Sequence, residues 1–135
     1  MIGSDLEEHL PDNGLHGARI LVLEDEYFIA EDLADALRSA GAEVVGPVGS
    51  LPQVEGPLAA GGITGALLDM NLRGEQAFEL AERLRERDVP FVIVSGYSGE
   101  AIPPSLEDVP RLEKPVDATR AVKLLTQLVT PQADR

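Results

Sequence analysis

Ile20-Leu21-Val22-Leu23-Glu24-Asp25 is a continuous apolar run that stops on two acids. It lacks polar alternation, so it reads as a strand buried on both faces, as in a parallel sheet covered by helices. The arrangement returns downstream: Ala66-Leu67-Leu68 stops on Asp69, and Phe91-Val92-Ile93-Val94 stops on Ser95. A shorter apolar approach over 109–112 leads to Lys114-Pro115. In an open parallel α/β sheet, residues just past the carboxyl ends of the strands meet in one crevice, where strand order reverses. Carboxylates, a hydroxyl and an ammonium from distant parts of the chain are therefore expected to share one pocket.

Helical signals fill the intervals. Ile29, Leu33, Ala36, Leu37 and Ala40 recur at helical spacing, and Gly41 supplies a stop. A short second strand follows at 43–45. A helix over about 51–60 is weakly specified, because Gly56-Pro57 should break or shorten it. The segment 75–87 reads as an amphipathic helix through Phe78, Leu80, Ala81 and Leu84. Little periodicity marks 96–109, which holds Gly96, Gly99, Pro103 and Pro104, so a fourth helix there should be short or irregular. A fifth strand is expected at about 111–113, and a last helix at 116–129 with Asp117 as its cap. Repeated strand-then-helix units predict an α/β domain with a parallel sheet and right-handed crossovers. Residues 1–17 read as a flexible acidic arm, 18–130 as the folded domain and 131–135 as a short tail.

Composition narrows the possible functions. The chain has 135 residues, 44% of them apolar, enough to bury one sizeable core. Having no cysteine, it can form no disulfide or thiolate site. A net charge of −13 argues against nucleic acid, whose binding draws its affinity from cationic groups. No apolar stretch approaches the roughly 18 residues that cross a bilayer, and the acidic start lacks signal-peptide features. A cytoplasmic protein without membrane contact is expected. Lysine occurs only at Lys114 and Lys123, which draws attention to a lysine at the end of a strand.

Each candidate residue has a plain use and a chemical one. Asp69 can turn the chain as a loop aspartate, or act as a carboxylate nucleophile that accepts a phosphoryl group as an acyl phosphate. Glu24 and Asp25 can cap the following helix. Facing a third acid, they can instead hold a divalent cation, for which Mg2+ is the natural choice at a phosphate site. Ser95 can be a turn residue and Lys114 a loop residue. Together with Asp69 they can hold phosphoryl oxygens, the ammonium as a point charge and the hydroxyl as a donor.

In the order Leu23-Glu-Asp-Glu26, Leu68-Asp-Met-Asn-Leu72, Val94-Ser-Gly-Tyr97 and Glu113-Lys-Pro115, these motifs resemble the receiver domain of bacterial two-component response regulators. The resemblance spans about residues 19–129. It implies a flavodoxin-like five-stranded parallel sheet of order 2-1-3-4-5 with helices on both faces. It also implies Asp69 as the phosphoacceptor, charged by a histidine kinase or histidine phosphotransfer protein. Mg2+ would be held by Asp25, Asp69 and the Asn71 backbone carbonyl, with Glu24 acting directly or through water. Ser95 and Lys114 match the family's switch hydroxyl and lysine. Arg111 stands where the family usually carries Tyr or Phe, which puts the ordinary aromatic readout aside. Pro90-Phe91-Val-Ile-Val-Ser-Gly-Tyr97 instead resembles a subgroup marked by Phe-Ala-Thr-Gly-Gly/Tyr, with Tyr97 as a substitute reporter.

The expected function is that of a stand-alone, non-enzymatic switch. It would either bind a downstream protein when phosphorylated or drain phosphoryl groups from a shared kinase. The rival reading is a small aspartyl phosphohydrolase, which would want a second acid two residues past Asp69, where Asn71 stands. A nucleotide-binding module fits less well, because Gly46-Pro-Val-Gly49 lacks the phosphate-cradling spacing. His9 and His16 fall in the arm, away from the helical bundle surface that a phosphotransfer histidine needs.

Overall fold

Apolar residues on alternate faces of the strands divide the interior into two layers. In the computed structural model, which describes residues 14–96 and 102–133 with side chains through Val129, five parallel strands form one sheet. They are β1 (Arg19–Leu23), β2 (Glu43–Val48), β3 (Gly65–Asp69), β4 (Phe91–Ser95) and β5 (Arg111–Glu113), in spatial order β2-β1-β3-β4-β5. Ile20, Val22, Leu67 and Val92 face one way and pack under α1 (Tyr27–Ser39) and α4 (Ala118–Ala133), against Leu33, Leu37, Ala121 and Leu125. Leu21, Leu23, Leu68 and Ile93 face the other way, under α2 (Glu55–Ala60) and α3 (Phe78–Glu86), against Leu58, Leu80 and Leu84. Burial on both faces is why β3 and β4 carry no polar residue before their last position, and β1 none after Arg19. This is the flavodoxin-like order expected from the sequence. Among the described residues, only a 3₁₀ turn at Pro104–Leu106 stands between β4 and β5, in keeping with an irregular fourth helix.

Several boundaries differ from the sequence reading. Strand β2 continues past Val45 through Gly46 and Pro47, joined by a cis peptide bond, and its register against β1 shifts between Leu21 and Leu23. An edge strand tolerates such an interruption, because one side has no neighbour to pair with. The helix expected over 51–60 is shortened, as its Gly56-Pro57 pair suggested: a 3₁₀ turn at Pro52–Val54 precedes the six residues of α2, and Pro57 lies in the first turn of α2, where proline is tolerated. Helix α3 begins at Phe78 rather than Glu75, because Glu75–Gln76 pair antiparallel with Asn71–Leu72 in a small hairpin. Helix α4 runs on through Ala133, into the expected tail, and begins with Asp117 Oδ1 accepting the Thr119 N–H at 3.0 Å. Residues 14–17, expected in the arm, form a turn instead. There Leu15 is buried, and its N–H donates to the Ala40 carbonyl at 2.9 Å. An isolated leucine gave no periodic signal, yet it covers the end of the α1 layer. His9 and Tyr97 lie outside the described residues.

Candidate functional site

Among the described residues four polar side chains lie buried in this otherwise apolar interior, and each comes from the carboxyl end of a strand: Glu24, Asp69, Ser95 and Lys114. Parallel pairing aligns them. Leu23 pairs with Leu68, Asp69 with Val94 and Ser95 with Glu113, while the Lys114 N–H donates to the Ser95 carbonyl at 3.1 Å. Two of the four, Asp69 and Lys114, border a cavity of about 310 Å³ at the end of the sheet, together with Asp25, Glu26, Asn71, Arg73, Gly74 and Gly96.

Lys114 is the centre of this group. Its Nζ donates to Glu26 Oε2 at 2.6 Å, Asp69 Oδ2 at 3.0 Å and Glu24 Oε2 at 3.1 Å. Burial works against the ammonium, but its bonds to Glu26 and Asp69 outweigh that cost and raise its pKa above the ordinary lysine value. Asp69 divides its two oxygens: Oδ1 accepts the Asn71 N–H at 3.0 Å, a local turn, and Oδ2 faces the lysine. The local turn and the contact with Lys114 thus coexist in one side chain. Burial raises the Asp69 pKa.

Burial, followed by the nearby charge of Asp69, pushes the Glu24 carboxyl up to about 7. Its Oε2 accepts the Glu26 N–H at 3.0 Å, whereas Oε1 is buried with no hydrogen-bond partner. Asp25 pairs with Arg73, Oδ2 to Nε at 3.4 Å. One oxygen from each of Glu24, Asp25 and Asp69 lies within 4.8 Å of the others. Hard oxygen donors at that spacing, on a set of carboxylates that includes Glu24 with its orphaned buried Oε1, suit a small divalent cation. Ser95 Oγ is also fully buried without a partner, a donor in want of an acceptor.

The structure therefore gathers Glu24, Asp25, Asp69, Ser95 and Lys114 as the strand argument required, with Asn71 beside them. The N-cap of α1 is Glu26, rather than Glu24 or Asp25, and its side chain makes no cap bond. The Asn71 side chain accepts the Gly74 N–H at 2.7 Å, inside the hairpin. Arg111 is exposed at the start of β5 and does not border the cavity, and His16 is exposed in the first turn. Two participants were not singled out from the sequence, Glu26 and Arg73. The only local hint for Glu26 is a glutamate at a helix N-cap, where Ser, Thr, Asp or Asn are preferred. For Arg73 it is the Arg73-Gly74 turn. Among the described residues no helix is long and apolar enough to cross a membrane.

No protein-family model matches the sequence, and no curated protein does either. Solved structures do match. The solution structure of SdrG from Sphingomonas melonis Fr1 is 38% identical, with a TM-score of 0.73 over 82% of this chain and 95% of that one. The BeF3-activated conformation of SdrG from Pseudomonas melonis Fr1 is 37% identical, with a TM-score of 0.68 over 84% of this chain and 98% of that one. The receiver domain of the hybrid histidine kinase CckA is 26% identical, with a TM-score of 0.64 over 83% and 99%. A CheY-like response regulator receiver domain protein from Methanospirillum hungatei JF-1 shares the fold at 16% identity, with a TM-score of 0.70 over 89% and 100%.

Proposed function

This chain belongs to the receiver family of response regulators, and we propose that it is switched by a phosphoryl group carried on Asp69, within a domain spanning 18–130. The carrying observation is the contact of a buried Asp69 carboxylate with the Lys114 ammonium at 3.0 Å, in a cavity open to a partner. The donor would be a phosphohistidine of a histidine kinase or phosphotransfer protein. An Asp69 oxygen attacks phosphorus, the P–N bond to the histidine breaks, and the electron pair leaves with the imidazole, which takes up a proton. An acyl phosphate on Asp69 results. Tyr27 and Phe28, exposed and in edge-to-face contact at 5.3 Å, give such a partner an apolar surface beside the cavity.

The chain's own residues would act as follows. Lys114 neutralises a phosphoryl oxygen as a point charge, and the unpartnered Ser95 hydroxyl donates to another. Glu24, Asp25 and Asp69, with the Asn71 backbone carbonyl, would hold Mg2+, which when bound supplies charge neutralisation for the transferring group. Movement of Ser95 and Lys114 toward the phosphoryl oxygens would alter the segment after β4. Tyr97 is proposed as its reporter and Arg111 as a polar substitute on the edge strand. The output would be phosphorylation-dependent protein binding or phosphate drainage.

Incubation with Mg2+ and acetyl phosphate should add one phosphoryl mass to the wild type and none to Asp69→Asn. An unchanged wild-type mass, or a gain that survives Asp69→Asn, rules the proposal out. Capture of a non-kinase partner only in the presence of beryllofluoride selects the binding role over drainage.

A further inference from the structure

An ammonium has three N–H donors, and all three of Lys114's are committed to carboxylates, those of Glu24, Glu26 and Asp69. A phosphoryl oxygen arriving on Asp69 can gain one of them only by displacing a carboxylate. The three are not equally easy to displace. Glu24's side chain is 1% exposed, and Oε1 already lacks a partner, so releasing Oε2 from the lysine would weaken the pairing of a second buried oxygen. Asp69 is the group being modified. Glu26's side chain is 49% exposed, and water can solvate its carboxylate as soon as it lets go.

The backbone supplies a separate observation. Glu26 occupies the N-cap of α1 in extended conformation, the position from which a side chain ordinarily accepts a helix N–H, yet it makes no such bond. Its carboxylate reaches instead to a lysine 88 residues away, in the shortest of the three lysine contacts, 2.6 Å.

We propose that Glu26 is a positioning residue that holds the third donor of Lys114 until a phosphoryl oxygen on Asp69 displaces it. This rests on the phosphoacceptor reading of Asp69. Glu26 thereby favours the unmodified state, and its release places a free carboxylate at the start of α1, next to Tyr27 and Phe28.

The test is calorimetric titration of beryllofluoride, in saturating Mg2+, into the wild type, Glu26→Gln, Glu26→Ala and Glu75→Gln. Glu75 is an exposed acid of the nearby hairpin and serves as the charge control. Glu26→Ala should bind roughly five- to tenfold more tightly than wild type, the worth of one hydrogen bond. Glu26→Gln, still able to accept a weaker bond, should fall between them, and Glu75→Gln should match wild type. In wild type the ligand should also move the Glu26 side-chain carboxyl ¹³C resonance, an effect absent in Asp69→Asn. Equal affinities for wild type and Glu26→Ala, or an equal gain in Glu75→Gln, overturn the role of Glu26 and leave Asp69's intact. If no protein binds beryllofluoride, wild type included, the phosphoacceptor reading fails and this proposal with it.

Discussion

Lys114 stands among more negative charge than it can neutralise, and the site's energetics follow from that. Replacing it by methionine leaves buried carboxylates facing each other without a cation. Lys114→Met should lower stability by about 3 kcal/mol without metal, and saturating Mg2+ should recover part of the loss; urea unfolding in each condition measures both. Glu24 makes the excess visible as a pH dependence. Its pKa, raised by burial and then by Asp69 from 4.5 to about 7, means that the folded state binds the proton more tightly than the unfolded chain. The associated stability is complete below 4.5 and is lost as pH rises through about 7. The upward shift of Asp69 adds the same sign, and Lys114 stays charged across the window. Without metal, the urea midpoint should fall between about pH 5 and about pH 8, and Glu24→Gln should flatten that slope. Which residues stop each strand was readable from the chain alone. That Glu26 and Arg73 join them was not, because each contact depends on where a turn aims a long side chain.

At the scale of elements, apolar runs and helical spacing located all five strands and the well-patterned helices, since burial on one or both faces leaves a periodic trace. Boundaries were missed where backbone pairing outweighed side-chain pattern. Gln76 is drawn into a hairpin with Asn71, and β2 carries on past a glycine and a proline. Gly46 is what permits that continuation. Its φ is +100°, and a Cβ there would sit 2.6 Å from the Val48 backbone nitrogen. Gly46→Ala should cost about 2 kcal/mol or more, from left-handed backbone strain joined to a clash with main chain. Thermal unfolding of the variant checks this, and an unchanged midpoint would mean the edge strand can re-route.

The whole molecule carries −13 of net charge, and several of those charges converge on one end of the sheet. A divalent cation that binds only the folded form should raise stability by about 2.7 kcal/mol at a hundredfold excess over its Kd. Asp25→Asn should lose most of that gain in thermal melts with and without Mg2+. The fold class and the chemistry-bearing strand ends were settled by the order of apolar runs and the residue closing each, because a strand's burial and its last residue are local properties of the chain. Only the tertiary structure decided which carboxylates share the ammonium, which buried oxygens are left without partners, and that Leu15 belongs to the core. Those outcomes depend on distances between elements far apart in sequence, and a one-dimensional pattern does not encode how a loop aims its side chains once the sheet has closed.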